Sequence, residues 1–223
     1  MYTGTILARA ISVMPGHRII VIGASAGGVA VLQTIMSELP QDLDAAILVV
    51  VHILPCRQSH LPEILNRSGP LRAMEVCGAQ AIQPGRIYVA PADAHVVVDN
   101  GTVDLWHGPK ENQHRPAINP LFRSAAVLYG PRVIGVVLTG ALDDGSAGLW
   151  WVKRHGGVAI VQDPETAQHP DMPRNAIQYV DVDYVAPPDK IAGLLRRLVS
   201  DNTELRKPEW ELSLGVWSPS KLQ

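Results

Sequence analysis

Arg18-Ile19-Ile20-Val21-Ile22-Gly23-Ala24-Ser25-Ala26-Gly27-Gly28 is a continuous apolar run that breaks at a glycine-rich turn. A strand with one wet face alternates apolar and polar residues. An unbroken run marks a strand covered on both faces, as in parallel sheets. After the turn, Leu32, Ile35, Met36 and Leu39 recur at helical spacing within residues 29–39, and Pro40 stops the element. A second unbroken run, residues 45–51, leads straight into His52. Buried strand, tight turn, helix and buried strand together open a doubly wound sheet.

The rest of the chain extends this pattern. Residues 61–67 read as a short helix punctuated by Ser68-Gly69-Pro70, and residues 86–90 as a strand. Residues 95–98 and 102–106 flank Asn100-Gly101, a pair that tolerates the positive φ of a type I′ hairpin turn, so an antiparallel section is predicted to be grafted onto the sheet. Asn119 and Pro120 read as N-cap and first turn of a helix ending at Gly130-Pro131. Strand 133–139, helix 146–155, strand 158–162 and an amphipathic helix 190–200, built on Ile191, Leu194, Leu195 and Leu198, complete the alternation. The predicted fold is α/β: a single-domain, doubly wound, mostly parallel sheet flanked by helices, with an antiparallel hairpin addition. The domain is expected over residues 18–200, between an N-terminal extension (1–17) and a tail (201–223) whose Trp210 and Trp217 pack on the body or on another chain.

Composition narrows the function classes. The 223 residues are 47 % hydrophobic and 18 % charged, a soluble globular balance with ample length for a core. A net charge of -2 supplies no attraction to nucleic acid or to an anionic membrane. No apolar run reaches the roughly 20 residues that span a bilayer. Cys56 and Cys77 are the only cysteines, which argues against a disulfide framework and for a cytosolic setting.

Three segments place reactive residues after parallel strands, where such sheets bind ligands. Gly23-Ala24-Ser25-Ala26-Gly27-Gly28 has the G-x-S-x-G spacing that exposes a serine hydroxyl on a sharp strand-to-helix turn. Read alone, it is equally a tight turn or a phosphate-binding loop at a helix N-terminus. His52 is a base or a structural histidine. Asp143-Asp144-Gly145 is a helix cap, a metal-binding pair or an orienting carboxylate. Together they make a set with a mechanism: serine needs a base, and the base needs a carboxylate to hold its tautomer. The order Ser–His–Asp, with one strand before Ser25, departs from α/β-hydrolases, which run Ser–Asp–His. His95, His107 and His114 fit no ordinary zinc spacing and read as structural or surface residues.

At these segments the chain resembles the catalytic domain of the chemotaxis methylesterase (CheB) family. Gly23 to Gly28 is similar to its G-[AT]-S-[AT]-G-G, and His52-Ile53-Leu54-Pro55 to its His-Met-Pro with one insertion. Leu138 to Gly145 is similar to L-T-G-M-G-x-D-G, which picks Asp144 over Asp143. Pro84-Gly85-Arg86-Ile87-Tyr88-Val89-Ala90-Pro91 with His95, the run Arg115 to Ala126, and Met172-Pro173-Arg174-Asn175-Ala176 resemble three further family motifs. Ala141-Leu142 stand where the family has Met-Gly, and Asp171 where it has Gly. No receiver domain precedes the first strand, so in-chain control by phosphorylation is not expected.

The resemblance implies a cytoplasmic serine hydrolase that demethylates glutamate γ-methyl esters on the helical cytoplasmic domain of chemoreceptors, with glutamine deamidation as a second activity. Ser25 would be the nucleophile, His52 the base and Asp144 its orienting partner, with backbone N–H groups near Ala26 or Ala141 receiving the oxyanion. Neither metal nor organic cofactor is called for. A separate receiver or methyltransferase protein is a further expected partner, and Arg123 and Arg174 are either solvated or face an acidic receptor. Two other readings stay open: an esterase or amidase on another substrate, and a non-catalytic interaction module of the same fold.

Overall fold

A computed structural model of the chain describes residues 16–53 and 59–201. Leu54, Pro55 and Cys56, and the tail with Trp210 and Trp217, lie outside these residues. In chain order the first elements are β1 (Arg18–Ala24), α1 (Gly28–Ser37), β2 (Ala45–Val51), α2 (Leu61–Ser68), β3 (Arg72–Glu75), β4 (Gln80–Ala81), β5 (Arg86–Val89), β6 (His95–Asp99) and β7 (Thr102–Trp106). Then follow α3 (Ile118–Tyr129), β8 (Val133–Val137), α4 (Ser146–Arg154), β9 (Val158–Gln162), α5 (Asp171–Tyr179), β10 (Tyr184–Ala186) and α6 (Pro188–Ser200).

Seven strands form one sheet in the order β10-β9-β8-β1-β2-β5-β3, and every pairing in it is parallel. The apolar run of β1 is explained by its two faces. Ile19 and Val21 enter a core with Phe122, Tyr129 and Leu149. Ile20, Ile22 and Ala24 enter the other, with Leu32, Ile35, Leu65 and Leu195. Helices α3, α4 and α5 therefore cover one face, and α1, α2 and α6 the other. Each fully buried isoleucine contributes about 1.5–3 kcal/mol.

β1 pairs with β2 on one side and with β8, which follows much later in the chain, on the other. Strand order reverses here. The crevice beyond the carboxyl ends of β8, β1 and β2 is thus the topological switch point at which doubly wound sheets bind ligands.

The hairpin forms as the Asn-Gly pair predicts, with φ of 49° at Asn100 and 81° at Gly101. It does not extend the main sheet: β6 and β7 join the two-residue β4 in a separate antiparallel sheet, ordered β4-β7-β6. Three elements of the main fold were not legible. β3 and β10 are short edge strands, too brief to show a period. α5 carries Pro173 in its first turn, where a missing N–H costs nothing. The reading of Asn119 as an N-cap is incorrect. Ala117 holds that position, and Asn119 is a buried residue of the first turn whose side chain serves another helix.

Candidate active site

The serine turn is shaped by close approach. Gly27 takes the left-handed conformation (φ 80°), and a Cβ on Gly28 would collide with Ala24. The half-buried Ser25 donates its N–H to Thr139 O (2.9 Å), which ties the turn to the end of β8. The Thr139 hydroxyl donates to Ala26 O (3.0 Å) and accepts the His169 N–H (2.9 Å). Gln162, fully buried, accepts the Thr139 N–H (2.9 Å). Thr139 therefore cross-links the serine turn, β9 and the loop before α5.

β2 delivers His52 from the neighbouring strand end, its N–H bonded to Ala24 O (3.2 Å). Its ring lies between the two other predicted residues. Nδ1 is 3.1 Å from Ser25 Oγ, and Nε2 is 2.8 Å from Asp144 Oδ2. A carboxylate oxygen only accepts, so the proton sits on Nε2, leaving the Nδ1 lone pair to the serine hydroxyl. The histidine side chain is 5 % exposed and the aspartate 1 %. Ser25, His52 and Asp144, which are 27 and 92 residues apart along the chain, form one continuous hydrogen-bonded row.

Asp144 is held from several sides. Oδ2 also accepts the Ile118 N–H (2.7 Å). Oδ1 accepts the N–H of Asn119 (3.3 Å) and of Gly145 (3.0 Å), and Asn112 Nδ2 (3.2 Å). The carboxylate thus caps α3, the neighbour on the same sheet face of the helix that Asp144 itself precedes. Ile118 reaches this point because Gly23 lacks a side chain: a Cβ there would overlap Ile118 Cγ2 and lie 2.8–2.9 Å from its Cδ1 and Cγ1. Asp143, its neighbour, makes no such contact with His52 and lines a surface cavity instead.

Two donors near the serine are already committed. Ser25 N–H goes to Thr139 O, and Gly140 N–H to His169 O (2.9 Å). Two cavities, of about 350 and 220 Å³, are lined by residues next to Asp144 and by His52, respectively. The larger is walled by Asn112, Asp143, Trp150, Trp151 and Tyr179. The smaller is apolar, with Val29, Val51, Ile53, Leu61 and Ile64 beside His52.

The sequence reading missed His114. It stacks on His52 with ring centroids 3.6 Å apart and planes within 8°. The only hint was Asn112, a residue type that favours left-handed turns. His95 is structural: it is buried, bonding Pro109 O through Nε2 (2.9 Å) and accepting the Ala117 N–H at Nδ1 (3.1 Å). His107 is exposed. Ligand atoms of His52, His114 and Asp144 lie within 4.8 Å of one another. They suit an ion poorly, because lone pairs in two parallel stacked planes do not meet at one point about 2.0–2.1 Å from both rings. Arg123 is committed to Glu111 (2.8 and 3.3 Å), and the exposed Arg174 lies 3.6 Å from Glu165.

A model of the CheB methylesterase family matches residues 20–195. The chain belongs to the CheB methylesterase family. It is 39 % identical over 191 residues to a Leptospira interrogans protein named "Putative protein-glutamate methylesterase/protein-glutamine glutaminase", covering 85 % of this chain and 99 % of that one. A Methanosarcina mazei protein named "Protein-glutamate methylesterase/protein-glutamine glutaminase 2" is 36 % identical over 82 % of this chain, which spans only 52 % of that longer relative. The crystal structure of the Thermotoga maritima CheB methylesterase catalytic domain superposes with a TM-score of 0.79 at 36 % identity, covering 82 % of this chain and 99 % of that domain.

Two departures from the CheB pattern have structural answers. Leu142, in place of glycine, adopts the left-handed φ of 66° that glycine would take freely, and Asn175 Nδ2 donates to its carbonyl (2.8 Å). Asp171 opens α5, where a negative charge meets the positive end of the helix dipole.

Proposed function

We propose that this chain is a serine hydrolase that removes the methyl group from γ-glutamyl methyl esters of a protein substrate. The hydrogen-bonded row Ser25–His52–Asp144 carries the reading, and the names of the relatives point to the ester. Ser25 Oγ attacks the ester carbonyl while His52 Nδ1 takes its proton. Asp144 holds Nε2–H and stabilises the imidazolium. The oxyanion is received by N–H groups near Ala26 or Ala141, since those of Ser25 and Gly140 are engaged; such a donor contributes about 3–4 kcal/mol. His52 then gives that proton to the methoxy oxygen as its bond to carbon breaks, releasing methanol. Water, deprotonated by the same histidine, hydrolyses the acyl-enzyme, and the proton returns to Ser25.

A glutamine side chain differs from the methyl ester only in its leaving group. The relay serves deamidation equally, with His52 protonating the amide nitrogen so that it leaves as ammonia, and the relatives' double names favour this second activity. The substrate proposed from the family resemblance is the helical cytoplasmic domain of a chemoreceptor, reached from the cytoplasm. Among the described residues no helix is long and apolar enough to cross a membrane.

Methanol release from a methylated receptor fragment tests the proposal. Wild type should release it and Ser25→Ala should not; equal rates would sink the mechanism. Hydrolysis of small esters alone, with the receptor fragment untouched, would point to a different substrate.

A further inference from the structure

We propose that His114 is a positioning residue of the relay, its ring bracing one face of the His52 imidazole so that Nδ1 stays on Ser25 while Nε2 stays on Asp144. This rests on the hydrolase reading above. The two hydrogen bonds of His52, at 3.1 and 2.8 Å, lie in the plane of its ring and fix its rotation within that plane. They resist tipping out of the plane weakly, because a hydrogen bond weakens steeply only when strongly bent. Contact with the ring face supplies what they lack, and the 3.6 Å, 8° stack of His114 is such a contact.

His114 is itself built in. It closes a tight turn with Glu111 through two backbone hydrogen bonds (3.2 and 2.9 Å). Asn112 and Gln113 between them both have positive φ, 47° and 68°. Asn tolerates this region, but Gln113 costs about 1–2 kcal/mol there, and such a residue persists only where surroundings impose it. The surroundings are specific: Glu111 pairs with Arg123 (2.8 Å), Asn112 Nδ2 donates to Asp144 Oδ1 (3.2 Å), and Arg115 grips Asp93 (2.9 and 2.7 Å). One turn therefore braces the histidine through His114 and its carboxylate through Asn112.

The protonation of His114 fits the task. Its Nδ1 lies 2.6 Å from Asn112 O, an acceptor, so Nδ1 carries the proton. Burial, then the facing His52, push its pKa below the ordinary histidine value; Lys110 acts the same way, against the Asn112 carbonyl and Asp144. A neutral ring leaves the imidazolium that forms on His52 unopposed, whereas a second cation 3.6 Å away would oppose it.

The test uses the full chain and a fluorophosphonate, whose reaction at Ser25 reports serine activation whatever the natural substrate. His114→Ala should slow labelling about 10–100-fold, the scale of a small misplacement of a catalytic group. His114→Phe, which keeps a flat ring, should stay within about threefold of wild type. In NMR spectra the His52 Nε2–H resonance should be sharp and slowly exchanging in wild type and in His114→Phe, and broadened in His114→Ala. Labelling of His114→Ala within threefold of wild type would overturn the proposal, as would a folded His114→Phe as slow as His114→Ala. If wild type itself is unlabelled at Ser25, the hydrolase reading fails instead, and an unchanged His52 resonance in His114→Ala then overturns the positioning role by itself.

Discussion

Asp144 and Asn119 cap each other's helices. Asp144, which precedes α4, accepts the first two N–H groups of α3, from Ile118 (2.7 Å) and Asn119 (3.3 Å). Asn119, inside α3, accepts the N–H groups of Gly145 (3.1 Å) and Gly148 (2.7 Å) at the start of α4 through its own Oδ1. The carboxylate facing His52 is thus fixed by an exchange between two helix ends that would otherwise leave buried donors unpaired.

Breaking that exchange from either side should have different signatures. Asn119→Ala removes a cap and should cost about 1–2 kcal/mol of stability, measured by denaturant unfolding, with a partial loss of turnover as Asp144 loosens. Asp144→Asn keeps an acceptor for the α3 donors but loses the charge that holds His52 Nε2–H. Its stability should change less than its turnover, which should fall about 10³–10⁴-fold.

Gly140 has no room for a methyl group. A Cβ there would overlap Met172 Sδ and lie 2.7 Å from Ser25 Cβ. Gly140→Ala should therefore displace the serine turn, costing about 1–3 kcal/mol and most of the serine labelling. An alanine variant with wild-type labelling and melting temperature would show that this contact is not tight.

Leu142 is half-exposed and holds a φ of 66°. An L-residue costs about 1–2 kcal/mol there, and glycine returns part of that gain through its looser unfolded state. Leu142→Gly should stabilise by up to about 1 kcal/mol, a rise of roughly 2–4 °C in Tm at this size. Leu142→Val, with its branched Cβ, should destabilise.

Acid should weaken the fold before carboxylates titrate. Burial holds the pKa values of His17 and His114 below the ordinary 6.5. Between 6.5 and the lowered folded values, the unfolded chain binds more protons than the folded one, so stability falls as pH drops through that window. Denaturant midpoints should decline between pH 7.5 and 5, and the slope should flatten in His17→Phe and His114→Phe. Tyr129, pushed up to about 12 by burial, stays neutral throughout and contributes nothing to this slope.

β1 and β2 were legible almost to the residue because both faces of each are buried, which leaves an unmixed apolar signature. The short edge strands β3 and β10 carry no such signature, and α5 was hidden by the proline in its first turn. Ser25, His52 and Asp144 could be nominated because each directly follows a strand, or the loop after one, in a fold whose strand ends face one crevice. Asn119 was misplaced since a cap from another helix leaves no local pattern. His114 was dismissed because its neighbours in sequence are polar turn residues, while its neighbour in space is a histidine 62 positions earlier in the chain.

What the sequence by itself determined is the alternation of buried strands and helices, from local periodicity, and the nomination of Ser25, His52 and an acidic pair after strands. The resemblance to the family motifs singled out Asp144 from that pair. Only the tertiary structure decided which nitrogen of His52 faces the serine, that Asp144 serves α3 as well as the histidine, and that a strained turn brings His114 onto the imidazole. Strand order is the physical reason. Placing β8 and β2 on either side of β1 brings distant segments together, and hydrogen-bond direction and ring stacking exist only after that meeting.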